Sequence, residues 1–212
     1  MLDLYLIRHA TTESNQGGRL QGQTDVLLSP VGEDEACRTA ARLANLKQAV
    51  ALYTSPLKRA VATATPVSDA LELSPVEEEC WMEMDVGDLA GLTWEEAKVH
   101  YPEAIALWYS QPRQVHFPGA RESIGQFVAR VEEGLRRLLQ RHPSGRVLLV
   151  SHGGPLNVCL STLLKLGLPD LFPFSLSNCG ISRVSYRNEL HVRVHAINDA
   201  SHLVQSAPFQ IP

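Results

Sequence analysis

The stretch that decides the fold is Leu4-Tyr5-Leu6-Ile7-Arg8-His9-Ala10-Thr11-Thr12. A short apolar run, rich in residues that suit a pleated strand, stops on an arginine and a histidine. Small hydroxyl residues, Asn15, Gly17 and Gly18 follow. This predicts a buried strand that delivers a cation and an imidazole to its C-terminal edge, where ligands bind in open α/β sheets. The pattern recurs. Val147-Leu148-Leu149-Val150 ends on Ser151-His152-Gly153-Gly154, and Val50-Ala51-Leu52-Tyr53 ends on Thr54-Ser55, with Arg59 a few residues on. Three strand ends therefore point polar groups at one place.

Between these strands the chain reads as helix. Ser29-Pro30 is a helix start, a hydroxyl N-cap with proline in the first turn, and Ala36, Ala40, Leu43 and Ala44 share one face of the helix it opens. Ser55-Pro56 reads as a second start of the same kind, for a helix running to about Leu71. Such a β-α-β-α beginning predicts a parallel sheet. Thr93-Trp94-Glu95-Glu96 and Ser123-Ile124-Gly125-Gln126 have the spacing of capping boxes. The second opens an amphipathic helix with Val128, Val131, Leu135 and Leu138 as its buried stripe and Glu132–Arg136 and Glu133–Arg137 as exposed pairs. Pro155 to Leu166 is apolar on most sides and reads as a central helix stopped by Gly167 and Pro169. Ile181–Tyr186 and Leu190–Ile197, joined by residues 187–189, read as an antiparallel hairpin. The segment from Thr93 to Phe117, with its prolines and aromatics, breaks the rhythm. It is expected to cap the strand ends, with Trp108 and Arg113 toward a bound leaving group. The organisation predicted is one domain over residues 1–203, a cap excursion at about 93–121, and a tail over 204–212.

At 212 residues, 44% hydrophobic and 20% charged, the chain has the size and composition of one soluble globular core. A formal net charge of -4 excludes a general binder of nucleic acid or anionic membrane, so any anion site must be locally basic. Cys37, Cys80, Cys159 and Cys179 show no CxxC spacing, which argues against a zinc motif or a disulfide framework and for reduced thiols in a cytoplasm. No stretch is long and apolar enough to read as a membrane span.

Arg8, His9, Arg59, Glu83 and His152 together suggest a reaction. Two guanidiniums are fork donors suited to phosphoryl oxygens. One neutral imidazole can attack phosphorus while the other donates to an oxygen, and a protonated carboxyl can supply the leaving group's proton. Glu83 sits between Trp81, Met82, Met84 and Val86, surroundings that disfavour the charged form of a carboxyl. Such a set needs no metal, because the arginines and second histidine supply the charge stabilisation. The glycines after His152, Gly153 first, let backbone N–H groups approach an anion. A metal site is the competing reading of the histidines, but there is no HExxH or paired-Asp motif, and no GxSxG elbow supports a serine hydrolase.

Four motifs in order resemble the histidine phosphatase superfamily, the phosphoglycerate-mutase-like proteins. They are Arg8-His9-Ala10-Thr11 with Asn15, Ser55-Pro56-Leu57-Lys58-Arg59-Ala60 with Thr63-Ala64, Glu83 to Gly91, and Ser151-His152-Gly153-Gly154. The likeness runs from Leu4 to about Leu203. It implies a three-layer α/β/α sandwich, with a mostly parallel central sheet, a C-terminal antiparallel hairpin and a small helical cap. By the same resemblance His9 is the phosphorylated nucleophile and Glu83 the general acid and base. Arg8, Arg59 and His152 form the phosphate pocket with Asn15 beside it, and Gln21, Gly22 and Gly153 complete the expected substrate-binding set. No cofactor or metal is implied. Three positions depart from the family pattern: Ala10 after the histidine, Leu89-Ala90-Gly91, and Pro118-Gly119-Ala120-Arg121-Glu122-Ser123, one residue longer than usual. The chain lacks the long insertion of the cofactor-dependent mutases, which favours a phosphatase over a phosphoglycerate mutase or a non-catalytic phosphate binder. The expected partner is a small phosphorylated metabolite: a sugar phosphate, phosphoglycerate, α-ribazole phosphate or phosphoserine. Nucleic acid and membrane are not expected, and a homodimer is left open.

Overall fold

The computed structural model describes residues 1–166 and 172–204. Its centre is β1 (Leu2–Arg8), which pairs in parallel with β4 (Gly145–Ser151) and antiparallel with β5 (Ile181–Asn188). β2 (Ala49–Thr54) lies parallel to β4 on its other side, with the short β3 (Pro75–Glu77) beyond it, and β6 (His191–Asp199) forms the opposite edge. The order β3-β2-β4-β1-β5-β6 is a mixed sheet of the kind expected, three predicted parallel strands and a hairpin, to which the short β3 adds a fourth parallel strand.

Alternation along the strands divides the core in two. Leu2, Leu4, Leu6, Val147 and Leu149 face α6 (Ile124–Arg141) and α7 (Gly153–Leu163), while Tyr5, Ile7, Leu148 and Val150 face α2 (Pro30–Leu43) and α3 (Lys58–Leu71). The strands are continuous apolar runs because both faces are covered. Each fully buried Val or Leu contributes about 1.5–3 kcal/mol. That decides what holds α6: its buried stripe, including all four predicted residues, outweighs surface ion pairs of about 0.2–1 kcal/mol each. Of those pairs Glu133–Arg137 forms, at 3.6 Å, while Arg136 bonds Glu133 at 2.6 Å rather than Glu132. The shorter α1 (Glu13–Gln16), α4 (Trp94–His100) and α5 (Pro102–Ser110) complete the helices.

Caps fix where helices meet the site. Ser29 Oγ accepts from Gly32 N at 3.2 Å and donates to Thr11 O at 3.1 Å, tying α2 to the loop after His9. Both predicted capping boxes form, at Thr93 and Ser123. Ser55-Pro56 does not start α3, which begins at Lys58. Asp25 accepts from Lys58 N at 2.8 Å, so a carboxylate 33 residues away does the capping. Ala44 is exposed as the C-cap of α2 instead of joining its buried face. α7 starts two residues before Pro155 and ends at Leu163, and the predicted stops Gly167 and Pro169 lie outside the described residues. Leu190 is exposed in the hairpin turn, where Asn188 Oδ1 accepts from its N–H, rather than opening β6. Of the predicted tail only Val204 is described.

The N-terminus of α2 comes so close to the His9 loop that a Cβ on Gly32 would lie 2.0 Å from Thr11 O. Gly32→Ala should therefore cost about 1–3 kcal/mol through forced backbone movement. Thermal denaturation should show a Tm several degrees lower, and an unchanged Tm would refute this close packing.

Candidate active site

Strand register brings the histidines together. Arg8 pairs with Ser151 at the ends of β1 and β4, so the next residues, His9 and His152, are neighbours with ring centroids 5.0 Å apart. His9 N continues the ladder to Ser151 O at 2.8 Å, and Ser55 N bonds Val150 O at 3.1 Å. The His9 ring is buried, and its Nδ1 lies 2.8 Å from Ala10 O. A carbonyl only accepts, so Nδ1 carries the proton and the lone pair is on Nε2. On His152, Nε2 lies 2.8 Å from Ser55 Oγ, which already accepts from Leu57 N. Among the described residues Nε2 is the one acceptor for the Ser55 hydroxyl proton, which places the ring proton on Nδ1, a buried atom without a partner among those residues.

Two arginines flank the imidazoles. Arg59, 1% exposed on the first turn of α3, donates from Nη1 to Thr24 O at 2.8 Å and from Nη2 to Gly22 O at 2.7 Å. Arg8 Nη1 donates to Leu176 O at 2.5 Å. Both Nε atoms are buried and have no hydrogen-bond partner among the described residues. Burial lowers the pKa of each guanidinium, Arg59 to about 10, against the opposing charge of Glu83. Both remain cationic at neutral pH. Burial, reinforced by the charges of Arg59 and Arg8, also pushes both histidines well below their ordinary value, so the imidazoles are neutral.

Glu83 reaches the site from a segment between two 3₁₀ turns. Its Oε1 accepts from Met84 N at 2.9 Å and its Oε2 from Gly154 N at 3.1 Å in the first turn of α7. The carboxylate thus meets N–H donors, where the sequence led us to expect its apolar neighbours. A Cβ on Gly154 would fall 2.1 Å from Oε1, which makes glycine a condition of this approach.

Arg8, His9, Asn15, Gln21, Gly22, Arg59 and Glu83 line one cavity of about 160 Å³, joined by Arg19, Leu20, Met84 and Val86. Asn15 Oδ1 accepts from Thr12 N and Oγ1, so its amide nitrogen is the end left for a ligand. Gln21 Oε1 accepts from Thr12 Oγ1. Gly153 approaches Arg8 Nε, while Gly154 makes the contact with Glu83. Trp108 stacks on Phe117 and Phe172, Arg113 is exposed, and neither is in the cavity wall. Ser55 looked like a helix cap, yet it orients His152. Thr63, one turn beyond Arg59, receives Ala10 N at 2.9 Å, and Asn178 donates to His9 O at 2.8 Å. Only Thr63 had a signal in the sequence, its i,i+4 spacing from Arg59. Among the described residues, no helix is long and apolar enough to cross a membrane, and no group of three or more His, Cys, Asp or Glu side chains could hold a metal ion.

Fold and comparisons together define the class, an α/β phosphatase. The chain belongs to the histidine phosphatase superfamily (branch 1), whose model matches residues 4–200. It is 33% identical over 203 residues to phosphoserine phosphatase 1 of Hydrogenobacter thermophilus, covering 96% of this chain and 95% of that one. It is 32% identical over 202 residues to a metal-independent phosphoserine phosphatase of Arabidopsis thaliana, covering 95% and 83%. A phosphoserine phosphatase mutant from Entamoeba histolytica, solved with phosphoserine, superposes with a TM-score of 0.84 at 27% identity, covering 96% of this chain and all of that one. The protein is a phosphoric monoester hydrolase.

The depressed histidines make stability depend on pH. Below about pH 6.5 the unfolded chain binds protons at His9 and His152 that the folded chain does not, so stability falls as pH falls, by up to about 1.4 kcal/mol per unit for each. Urea unfolding between pH 7.5 and 5.5 should show this slope, and His9→Gln with His152→Gln should flatten it. An unaltered slope in the double variant would assign it elsewhere.

Proposed function

We propose that the protein hydrolyses a compact phosphomonoester in two steps, with His9 as nucleophile. The observation that carries this reading is the bond from His9 Nδ1 to Ala10 O, which leaves Nε2 free beside three buried, unpartnered donors: Arg8 Nε, Arg59 Nε and His152 Nδ1. These donors suit the non-bridging oxygens of a phosphoryl group. In the first step Glu83 enters as the neutral carboxyl; Nε2 forms a bond to phosphorus, the ester P–O bond breaks, and Glu83 gives its proton to the leaving oxygen and becomes the carboxylate. In the second, Glu83 takes a proton from water as the oxygen attacks phosphorus and the P–N bond breaks. Inorganic phosphate leaves and the starting protonation state returns. His152 stays neutral and donates from Nδ1 throughout.

A cavity of about 160 Å³ favours a small leaving group. Phosphoserine, on which the relatives above act by name, is the first substrate to test, followed by phosphoglycerate and small sugar phosphates. The reading is of a cytoplasmic enzyme that acts without a metal, so EDTA should leave the rate unchanged.

His9→Ala should lose more than about 10²-fold in kcat and should fail to trap an acid-labile phosphoenzyme in rapid-quench experiments. A variant that kept wild-type labelling would exclude His9 as nucleophile. Glu83→Gln should lose about 10²–10⁴-fold in phosphorylation by an alkyl phosphate and far less with p-nitrophenyl phosphate, whose phenolate leaves unprotonated. Equal losses with both would exclude Glu83 as the acid. Asp85, two residues on, is disfavoured as the acid on this reading. It is outside the cavity wall, and despite its burial the N–H groups of Arg121 and Gly87 hold its carboxyl below the usual range.

A further inference from the structure

The carboxylate of Glu83 is held through the peptide that joins it to Met84. Met84 N–H points at Oε1, and the carbonyl of that same peptide, Glu83 O, accepts on the opposite side from Gln23 Nε2 at 3.0 Å and Arg130 Nη2 at 3.4 Å. The peptide is planar, so fixing its carbonyl fixes the direction of its N–H. Arg130 does more. Its Nη1 donates to Glu79 O at 3.1 Å and to Cys80 O and Met82 O at 3.0 Å, so one guanidinium gathers four carbonyls of the segment that carries Glu83. The guanidinium is itself held as a fork by Glu122, with Nη2 to Oε1 at 2.6 Å and Nε to Oε2 at 3.0 Å. Glu122 Oε1 also accepts from Gln23 Nε2 and from Asp85 N. Arg121, in the stretch that departs from the family pattern, donates to Gln23 Oε1 and to Asp85, which orients the Gln23 amide with its nitrogen toward Glu83. The Arg130 and Glu122 side chains are 23% and 16% exposed, sheltered enough for this geometry to be retained.

We propose that Arg130, with Glu122 and Gln23, is the positioning device of the acid–base step. It fixes the Glu83–Met84 peptide so that its N–H meets the Glu83 carboxylate and keeps the carboxyl at the leaving oxygen. None of the three is a catalytic residue. Arg130 and Glu122 stand outside the cavity wall, and a strut that served only the fold would lower all substrates together. A positioning device acts on proton transfer alone, so its loss depends on the leaving group. A displacement of about 1 Å in a reacting group costs on the order of 10²-fold.

This inference rests on Glu83 as the acid, and the experiment separates the two. Phosphorylation of His9 by an alkyl phosphate and by p-nitrophenyl phosphate is monitored by rapid quench in the wild type, Glu83→Gln, Arg130→Met and Gln23→Met. Arg130→Met should lose on the order of 10²-fold with the alkyl phosphate and stay within about fivefold with the aryl ester, and Gln23→Met should show the same pattern at smaller amplitude. Equal losses with both substrates in Arg130→Met, where Glu83→Gln discriminates, would overturn the proposal and leave Arg130 a strut. No discrimination in Glu83→Gln would overturn the reading of Glu83 as acid, and this inference with it. If Arg130→Met does not fold, Gln23→Met, which keeps the ion pair, decides: an unchanged ratio of the two rates refutes the device.

Discussion

Two guanidiniums held out of water beside neutral imidazoles are the constraint on which the structure turns. Burying a charge is costly unless it is paired, and Arg59 is almost fully enclosed. The chain offsets that cost with carbonyls rather than a dedicated carboxylate: Gly22 and Thr24 for Arg59, and Leu176 for Arg8. Carbonyls satisfy hydrogen bonds without cancelling the positive potential, and among the described residues Glu83 is the one acid in the cavity wall. Excess positive charge therefore remains there, with both Nε atoms still unpartnered. A dianion completes what the fold leaves open, and burial, reinforced by the same charges, keeps the histidines neutral.

Everything else on the phosphoryl side is set by strand register. Because β1 and β4 pair residue for residue up to Arg8 and Ser151, the two histidines emerge side by side, and β2 places Ser55 next to them. A slip of one residue would send Arg8 and His9 to the wrong faces and separate the rings. Buried leucines and valines on both faces fix that register, so the geometry of the candidate site inherits its precision from ordinary hydrophobic packing.

This explains what the sequence disclosed and what it hid. Strand ends, helix caps and the set Arg8, His9, Arg59, Glu83 and His152 were legible because apolar runs and cap spacings are local signals. So was the sheet, including its terminal hairpin, apart from the three-residue β3, which is too short to leave a strand pattern. Ser55 was misread as a cap because Ser-Pro carries the local signature, while the actual capping acid, Asp25, is distant in sequence. Glu83 was read from the apolar side chains of its sequence neighbours, Trp81 to Val86, yet its carboxylate is held by backbone N–H groups, that of Met84 beside it and that of Gly154, 71 residues on. The supports of its backbone, Gln23 and Arg130, are equally remote. Local pattern carries no information on such contacts; only the closed fold does.

The two halves of the site are also built differently. The phosphoryl side hangs on central strands, covered on both faces, whose side chains can change little without altering the core. The side that the proposed mechanism gives to the leaving group is made of loops: residues 19–22, the segment around Glu83, and the 118–123 stretch that supports it through Arg121 and Glu122. Loops of this kind tolerate changes in length and composition that a central strand does not. A chain can therefore retain the chemistry of phosphoryl transfer in full while its outer wall, here Arg19, Leu20, Met84 and Val86, takes a different leaving group. For that reason the motif residues identify the reaction and leave the substrate to the loops.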